Sequence, residues 1–433
     1  MPPSTAFHWH RLLSRLHRLR LVLASQGMGG LAGRLGRNGV EAEPAIRFHP
    51  ESLDPPTPSG GNRLLVVDGT LPRPDRDSGS MRLFGILRLM REAGLEVDFL
   101  PEDGLEHGAD ADSLRALGVR ILGRSWAASP INRLRRSGKH AGVLVCRYHL
   151  ARYWFPFLRQ HAPSARLVLD TVDLHFLRET REAELLGKPA LARMARATRK
   201  QELHQIGEAE VAWVVSEVER ELLAELIPAA RIEVVSNIHD LCSSPPGFPE
   251  RQGILFVGGG RHPPNADAVR WLVSGILPRL TREASRDIDI HLVGAGLREA
   301  LAGIMLPASV HVHGHVPDLS PLLEKCRIGI APLRFGAGVK GKINQYMSHG
   351  LPTVATFCAA EAMHLIDGSD VLLADDEEGF AIAIERLHAE QELWERLSRN
   401  GLASVQRHFS ADAMLPAVMR TFPLPVTPIP AHR

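Results

Sequence analysis

Cysteine is scarce in this 433-residue chain, and Cys146, Cys242, Cys326 and Cys358 stand far apart. No CxxC pair occurs, which argues against a zinc site or a disulfide framework and fits a reducing compartment. Tyrosine is scarcer still, with three residues, and the formal net charge is only +2. Without a basic stripe interleaved with aromatics, nothing draws the chain toward nucleic acid. No apolar run approaches the ~20 residues needed to span a bilayer. The N-terminal arginines are not followed by the uninterrupted apolar core of a signal peptide. The expected location is therefore cytoplasmic. What remains, 44% hydrophobic and 23% charged residues, is the composition of an ordinary globular protein. The length predicts two or three domains.

Residues 1–62 read as a basic amphipathic tail and linker. Trp9, Leu12, Leu13, Leu16, Leu19 and Leu23 recur at helical spacing, with Arg11, Arg15, Arg18 and Arg20 between them. Residues 1–50 carry seven Arg against two Glu. Such a helix can lie on an anionic membrane surface, which would place the chain peripherally at the inner face of the plasma membrane. The alternative is that its apolar face docks on the protein itself or on a second copy.

From Arg63 onward the chain alternates strand and helix. Leu64–Asp68, Val97–Pro101, Val119–Gly123, Val143–Arg147, Leu167–Thr171, Ala212–Ser216 and Ile232–Ser236 are apolar runs of strand length. Helical segments are expected between them, notably Met81–Ala93 and one long helix from about Arg178 to Gln205. Ile254–Val257, Ile290–Val293, Val310–His313, Ile328–Ala331, Thr353–Ala355 and Val371–Ala374 repeat the plan. Near-continuous apolar strands separated by helices predict parallel sheets covered on both faces. The expected fold class is α/β, two Rossmann-like domains facing a central cleft. Its boundaries are a first domain at 63–240, a Pro-rich linker at 241–252, a second domain at 253–410, and a C-terminal helix with a Pro-rich tail at 411–433. Ligands of such sheets bind beyond the carboxyl ends of the strands, and with two sheets that means the cleft between them.

The stretch Ile328–Thr356 organises the second half: a strand, a glycine-rich loop through Gly336, Gly338 and Gly341, a helix stopped at Gly350 with Pro352 beyond, then another strand. A loop feeding a helix N-terminus presents free N–H groups and the positive end of the dipole, an anion site. Lys340 and Lys342 add charge there. The plain alternative is an ordinary strand-to-helix turn with solvated lysines. Loops at Gly258–Asn265, Gly294–Gly296 and Gly314–Asp318 follow other strand ends and should open on the same edge. Arg261 can help to balance a diphosphate, and Gln345 can hydrogen-bond a hydroxyl pair.

These residues resemble the donor domain of retaining GT-B-fold glycosyltransferases of the family 4 kind. The phrases that carry the resemblance are FVGGGRHPPNADAVRWL at 256–272, HLVGAG at 291–296, HGHVPDLSPLLEKC at 313–326 and APLRFGAGVKGKINQYMSHGLPTVAT at 331–356. The resemblance implies a nucleotide-diphosphate sugar as co-substrate and no separate cofactor. It places Gly258, Arg261, Asn265, Gly294, Gly338, Lys340, Lys342 and Gln345 around the donor, with Val316 and its loop neighbours at the base. The family often carries two glutamates, and their positions here hold Ala337 and Gln345. An uncharged amide makes a weaker hydrogen bond to a ribose hydroxyl.

The first half resembles the same family over about 63–237. LPRPDRDSGSMRLFGILRLMREAGLEV at 71–97 looks like its first glycine turn and helix, which implies that Gly79 and Ser80 lie under the donor phosphate. VLDTVDLHFLRETREAELL at 168–186 places His175 just past a strand end, where family active-site histidines stand, with Asp173 two residues earlier. These two are the expected catalytic pair. Local alternatives are a helix cap for Asp173 and a packing role for His175. Retention of configuration is implied by the resemblance alone.

The expected activity is transfer of a sugar to a glycan or lipid-linked acceptor in cell-surface polysaccharide biosynthesis, without a metal. Lys340, Lys342, Arg261 and the helix N-terminus can stabilise the departing diphosphate. The string Asp110-Ala111-Asp112 reads as surface loop rather than a metal motif. His311, His313 and His315 alternate and would share a strand face, able to ligate zinc or nickel, but no carboxylate or cysteine completes the set nearby in sequence. Two rivals remain: a non-catalytic sugar-nucleotide-binding partner subunit, supported by Ala337 and Gln345, and a nucleotide-sugar epimerase, for which no carboxylate pair stands out.

Overall fold

Among the described residues, thirteen strands form two separate parallel sheets. The computed structural model describes Phe7, Arg11, Leu12 and residues 62–281 and 288–424. The first sheet contains β1 (Arg63–Asp68), β2 (Glu96–Pro101), β3 (Arg120–Ile121), β4 (Gly142–Cys146), β5 (Arg166–Asp170), β6 (Val211–Val214) and β7 (Ile232–Val234), in the order β3-β2-β1-β4-β5-β6-β7. The second contains β8 (Ile254–Val257), β9 (Ile290–Val293), β10 (Val310–Gly314), β11 (Ile328–Ala331), β12 (Thr353–Ala355) and β13 (Leu372–Leu373), in the order β10-β9-β8-β11-β12-β13. This is the expected pair of Rossmann-like domains. Each sheet reverses its order once, between β1 and β4 and between β8 and β11. Those switch points open a crevice at the strands' carboxyl ends.

The central strands are apolar throughout because both faces are covered. Leu64 and Val66 face one layer of helices, Leu65 and Val67 the other. The second sheet builds its main core from Ile254, Phe256, Ile290, Leu292, Ile328 and Ile330. Five helices matter below: α1 (Ser78–Glu92), α2 (His175–Leu186), α3 (Pro189–Glu208), α4 (Gly341–Ser348) and α5 (Ala411–Thr421). The chain leaves the second domain through helix Gln391–His408. It then returns to the first, where Met414, Ala417, Val418 and Phe422 join the core under α1.

Several local expectations are corrected. The long helix expected at 178–205 is two helices. It stops at Gly187, which takes the left-handed conformation (φ 60°), and restarts with Pro189 in the first turn of α3. Asp110-Ala111-Asp112 is not loop but the first turn of a helix, Ala109–Ala116, with Ala111 buried. Acidic residues favour that position because they complement the helix dipole. Asp110 pairs with Arg73 at 3.2 Å and Asp112 with Arg115 at 3.1 Å.

Most of the N-terminal amphipathic segment lies outside the described residues, as does the Pro-rich end after 424. Phe7, however, is 2% exposed and packs edge-on against Tyr153, Trp154 and Phe157 of the first domain. Arg11 lies 3.4 Å from Glu102. At these two positions the segment docks on the protein itself. Among the described residues no helix is long and apolar enough to cross a membrane.

Candidate active site

The two switch points face one another across a cleft of about 1130 Å³ lined by both domains. On the second-domain wall, β11 ends at Ala331 and the loop carrying Gly336 and Gly338 leads into α4. Helix α4 has no side-chain cap at its N-terminus. In this it resembles α2 and α3, while α1 is capped by Asp77 and α5 by Ser410. The first N–H groups of α4 thus lack a side-chain acceptor, and Gly341 and Lys342 line the cleft. A Cβ on Gly341 would stand 2.8 Å from the Ser78 Cβ, so the loop passes against the first domain with no space to spare. Gly338 takes a left-handed conformation (φ 68°) that favours glycine, with Asp173 of the first domain beside it.

The lysines are held by different partners. Lys340 Nζ donates to its own loop, to Gly338 O at 2.6 Å and Ala337 O at 3.3 Å. Lys342 Nζ donates to Asn265 Oδ1 at 2.7 Å and sits 4.2 Å from the Phe256 ring centre. Burial, with the Lys340 charge adding to it, pushes the Lys342 ammonium down to about 7. An anion arriving beside it restores its charge. Gly258, Arg261, Asn265, Ala337 and Gln345 also line the cleft, Arg261 at an exposed position. Gly294 does not, but backs the Gly258 carbonyl. Val316 is a correction: it packs in the small apolar cluster with Leu255, Val293 and Tyr346, while its neighbours Pro317 and Asp318 reach the cleft.

On the first-domain wall, Gly79 and Ser80 lie at the start of α1. The Asp77 carboxylate already occupies that helix end, accepting from Ser80 N and Ser80 Oγ at 2.8 Å each. His175 opens α2. Its Nδ1 lies 3.1 Å from Asp173 O, so that nitrogen carries the hydrogen and Nε2 is left as the acceptor in the neutral ring. Burial disfavours the charged ring, but Asp173 and Glu202 outweigh it and raise the His175 pKa. The fully buried Glu202 of α3 accepts from His175 N at 3.2 Å and Phe176 N at 2.9 Å, fixing the start of α2. Burial opposes the Asp173 charge too, yet Arg178, His175 and Arg147 bring it down to about 2. The expected catalytic pair therefore stands together in the cleft.

Several neighbours of these residues were not among the expected site residues. Arg147 follows β4 directly and Val172 stands two residues past β5, and both have positive φ (74° and 67°). Such outliers cost about 1–3 kcal/mol each and collect at functional sites. Here Asp170 enforces them, accepting Arg147 N on its carbonyl at 2.6 Å and Val172 N on Oδ1 at 3.1 Å. Asp170 is itself held by the buried Arg82 at 2.8 Å. Arg147 thereby reaches the cleft beside Gly79, 3.5 Å from Asp68. Arg181, one turn further along α2, donates to Gly336 O at 2.8 Å and to Glu361 at 2.8 Å, tying the first domain to the glycine loop. The strand-end rule picks out Arg147; the partners of Arg181 had no local signal.

Of the three alternating histidines, His311 and His313 do share a face, both packing against His291, whereas His315 lies beyond the end of β10. The pairing of β10 with β9 shifts register between Val312 and Gly314. His311 pairs with Asp289 at 2.9 Å, His313 contacts His291 at 2.9 Å, and His315 reaches Asp75 of the first domain at 3.0 Å. Among the described residues no group of three His, Cys, Asp or Glu is arranged to hold a metal ion.

Residues 251–390, most of the second domain, match the family model described as glycosyl transferases group 1. A comparison with curated proteins finds no match. Solved structures similar over both domains include sucrose-phosphate synthase from Thermosynechococcus elongatus, at 14% identity and a TM-score of 0.63, over 83% of this chain and 97% of that one. HepE from Anabaena, in complex with UDP-glucose, is similar at 13% identity and a TM-score of 0.59, over 83% and 98%. An E. coli protein described as trehalose-6-phosphate bound with UDP-2-fluoro glucose follows at 13% identity and a TM-score of 0.57, over 84% and 99%. The fold is that of the GT-B glycosyltransferases.

Proposed function

We propose that this protein is a glycosyltransferase that moves a sugar from a nucleotide-diphosphate sugar to a hydroxyl of a glycan or glycolipid acceptor. The observation that carries this reading is the uncapped N-terminus of α4 with Lys342 beside it, opening into the interdomain cleft opposite His175. A diphosphate satisfies the free N–H groups and restores the lysine charge in one step. Two structural neighbours hold UDP-glucose or its 2-fluoro analogue, so uridine donors are the first to test.

Bond breaking at the anomeric carbon passes through an oxocarbenium-like state and leaves negative charge on the diphosphate. Lys342, Arg261 and the helix dipole stabilise that charge where it grows. Lys340 supports them by holding the loop through Gly338 O. Attack by the acceptor on the donor's front face needs no enzymic nucleophile. The leaving phosphate then takes the acceptor's proton, and configuration is retained. A cell-surface glycan or glycolipid role, with contact at the inner membrane face through the basic N-terminal segment, belongs to the same proposal. Product formation followed by mass spectrometry, with UDP-sugars and an acceptor library, tests the reading. Hydrolysis of none of the donors, and transfer from none, removes it.

A non-catalytic sugar-nucleotide binder is the second reading, favoured by Ala337 and Gln345 at the lining positions where acids are often found. Gln345→Glu separates the two. If Gln345 meets the ribose, a carboxylate there hydrogen-bonds more strongly, and donor affinity is expected to hold or rise by up to about tenfold. A loss of donor affinity in that variant would take Gln345 out of the ribose site.

A further inference from the structure

The cleft continues past His175 into a chamber between α2 and α3 that the donor does not need. His175, Arg178, Glu179 and Glu182 recur at i, i+3, i+4 and i+7, one face of α2, and all four line the cavity. Leu191 and Met194 of α3 give it an apolar side. The ring of the buried Tyr148 stands 5.3 Å from that of His175. An apolar patch, an aromatic edge and carboxylates together suit one face and the rim of a sugar ring.

The charges of this wall are unevenly committed. Each arginine is already engaged by a carboxylate: Arg76 by Asp75 at 3.4 Å, Arg82 by Asp170 at 2.8 Å, Arg147 by Asp68 at 3.5 Å, and Arg178 by Asp173. The carboxylates left over are Glu179 and Glu182, which form no ion pair among the described residues. Thr198 lies beside the Glu179 carboxyl, yet no hydrogen bond of good geometry reaches its buried Oε2. Burial raises the pKa of both glutamates, and the charges of Arg178, of His175 on Glu179 and of Lys188 on Glu182 offset it only in part. The opposite wall differs, since Arg261 and Lys342 stand there and would be spent on the diphosphate.

We propose that this chamber is the acceptor subsite, and that it takes an acceptor presenting hydroxyl or amino groups there and discriminates against one carrying a phosphate or carboxylate. Hydroxyl and ammonium groups donate to Glu179 and Glu182, whereas an anion meets like charge with no unengaged cation on that wall. The inference rests on the transferase reading. It adds the charge class of the acceptor, which the fold leaves open.

The test is a library of hexosides, each present in neutral, amino and 6-phosphorylated form, assayed for transfer with whichever donor the protein binds. The accepted members are expected to be neutral or amino. Their phosphorylated counterparts should fall at least about tenfold in kcat/KM, as for one like-charge contact. Glu182→Lys should narrow or invert that ratio, with donor affinity measured in parallel to show that the cleft is still assembled. A phosphorylated form taken equally well or better overturns the inference, as does a ratio that Glu182→Lys leaves unchanged. A donor-binding protein that accepts no member of the library also overturns it while leaving donor recognition standing. Absence of donor binding overturns both readings together.

Discussion

Lys342→Ala weakens donor binding by about 1.5–3 kcal/mol, the range for a hydrogen bond to a charged group. That is about tenfold to a hundredfold in Kd. In the free protein Lys342 Nζ donates, among the described residues, to Asn265 Oδ1 at 2.7 Å, and burial holds its pKa down at about 7. A diphosphate raises that pKa, so above pH 7 donor binding takes up a proton. The sign follows. Affinity is greatest where Lys342 is already charged, below about pH 7, and falls by up to about tenfold per pH unit above it, until the pKa of the bound state is reached. Calorimetry at several pH values, in buffers of different ionisation enthalpy, reads both the affinity and the proton. The variant should lose both the affinity and the slope. Unchanged affinity in Lys342→Ala would remove the residue from the site.

His175→Ala is expected to lower turnover by about 10²-fold, the lower range for a polar group acting at the reacting centre, while donor affinity changes little. His175 belongs to the first domain, which the proposed reaction places on the acceptor side of the reacting bond. Its ring is oriented by Asp173 O and its helix start is fixed by Glu202. A pure packing role predicts something else: loss of stability, with donor affinity and turnover falling together. Steady-state kinetics beside a donor titration and a melting curve separate the two. Equal loss in both kinetic terms would make His175 structural.

The fold was largely legible in the sequence, because parallel strands buried on both faces leave short apolar runs and their ends mark the ligand edge. Ile328–Ala331 and Ile254–Val257 appear in the structure at the residues where their patterns begin and end. The organising loop was legible for a related reason: glycines, lysines and a helix start lie within one short stretch. Side-chain destinations were less so. Val316 stands in the expected loop, yet its apolar side chain is better buried against Leu255 and Tyr346 than left in a polar cleft. His315 departs from its neighbours because β10 ends at Gly314, and it reaches Asp75 of the first domain instead. Asp110 and Asp112 read as loop because their acidity outweighed the weak helical pattern around Ala111 and Leu114, although acids belong in a first helical turn. Glu202 and Asp170 shape the site from a distance in sequence. One caps a helix that begins 27 residues earlier, and the other forces two neighbouring residues to positive φ. No local pattern announces such partners, since their role exists only once the chain is folded.

The most direct test of the central claim is a calorimetric titration of the intact protein with UDP- and GDP-sugars near pH 8. The account predicts saturable 1:1 binding of at least one of them, accompanied by proton uptake that disappears in Lys342→Ala. A folded protein giving no binding heat with any member of the panel, and no thermal stabilisation by any of them, would contradict it.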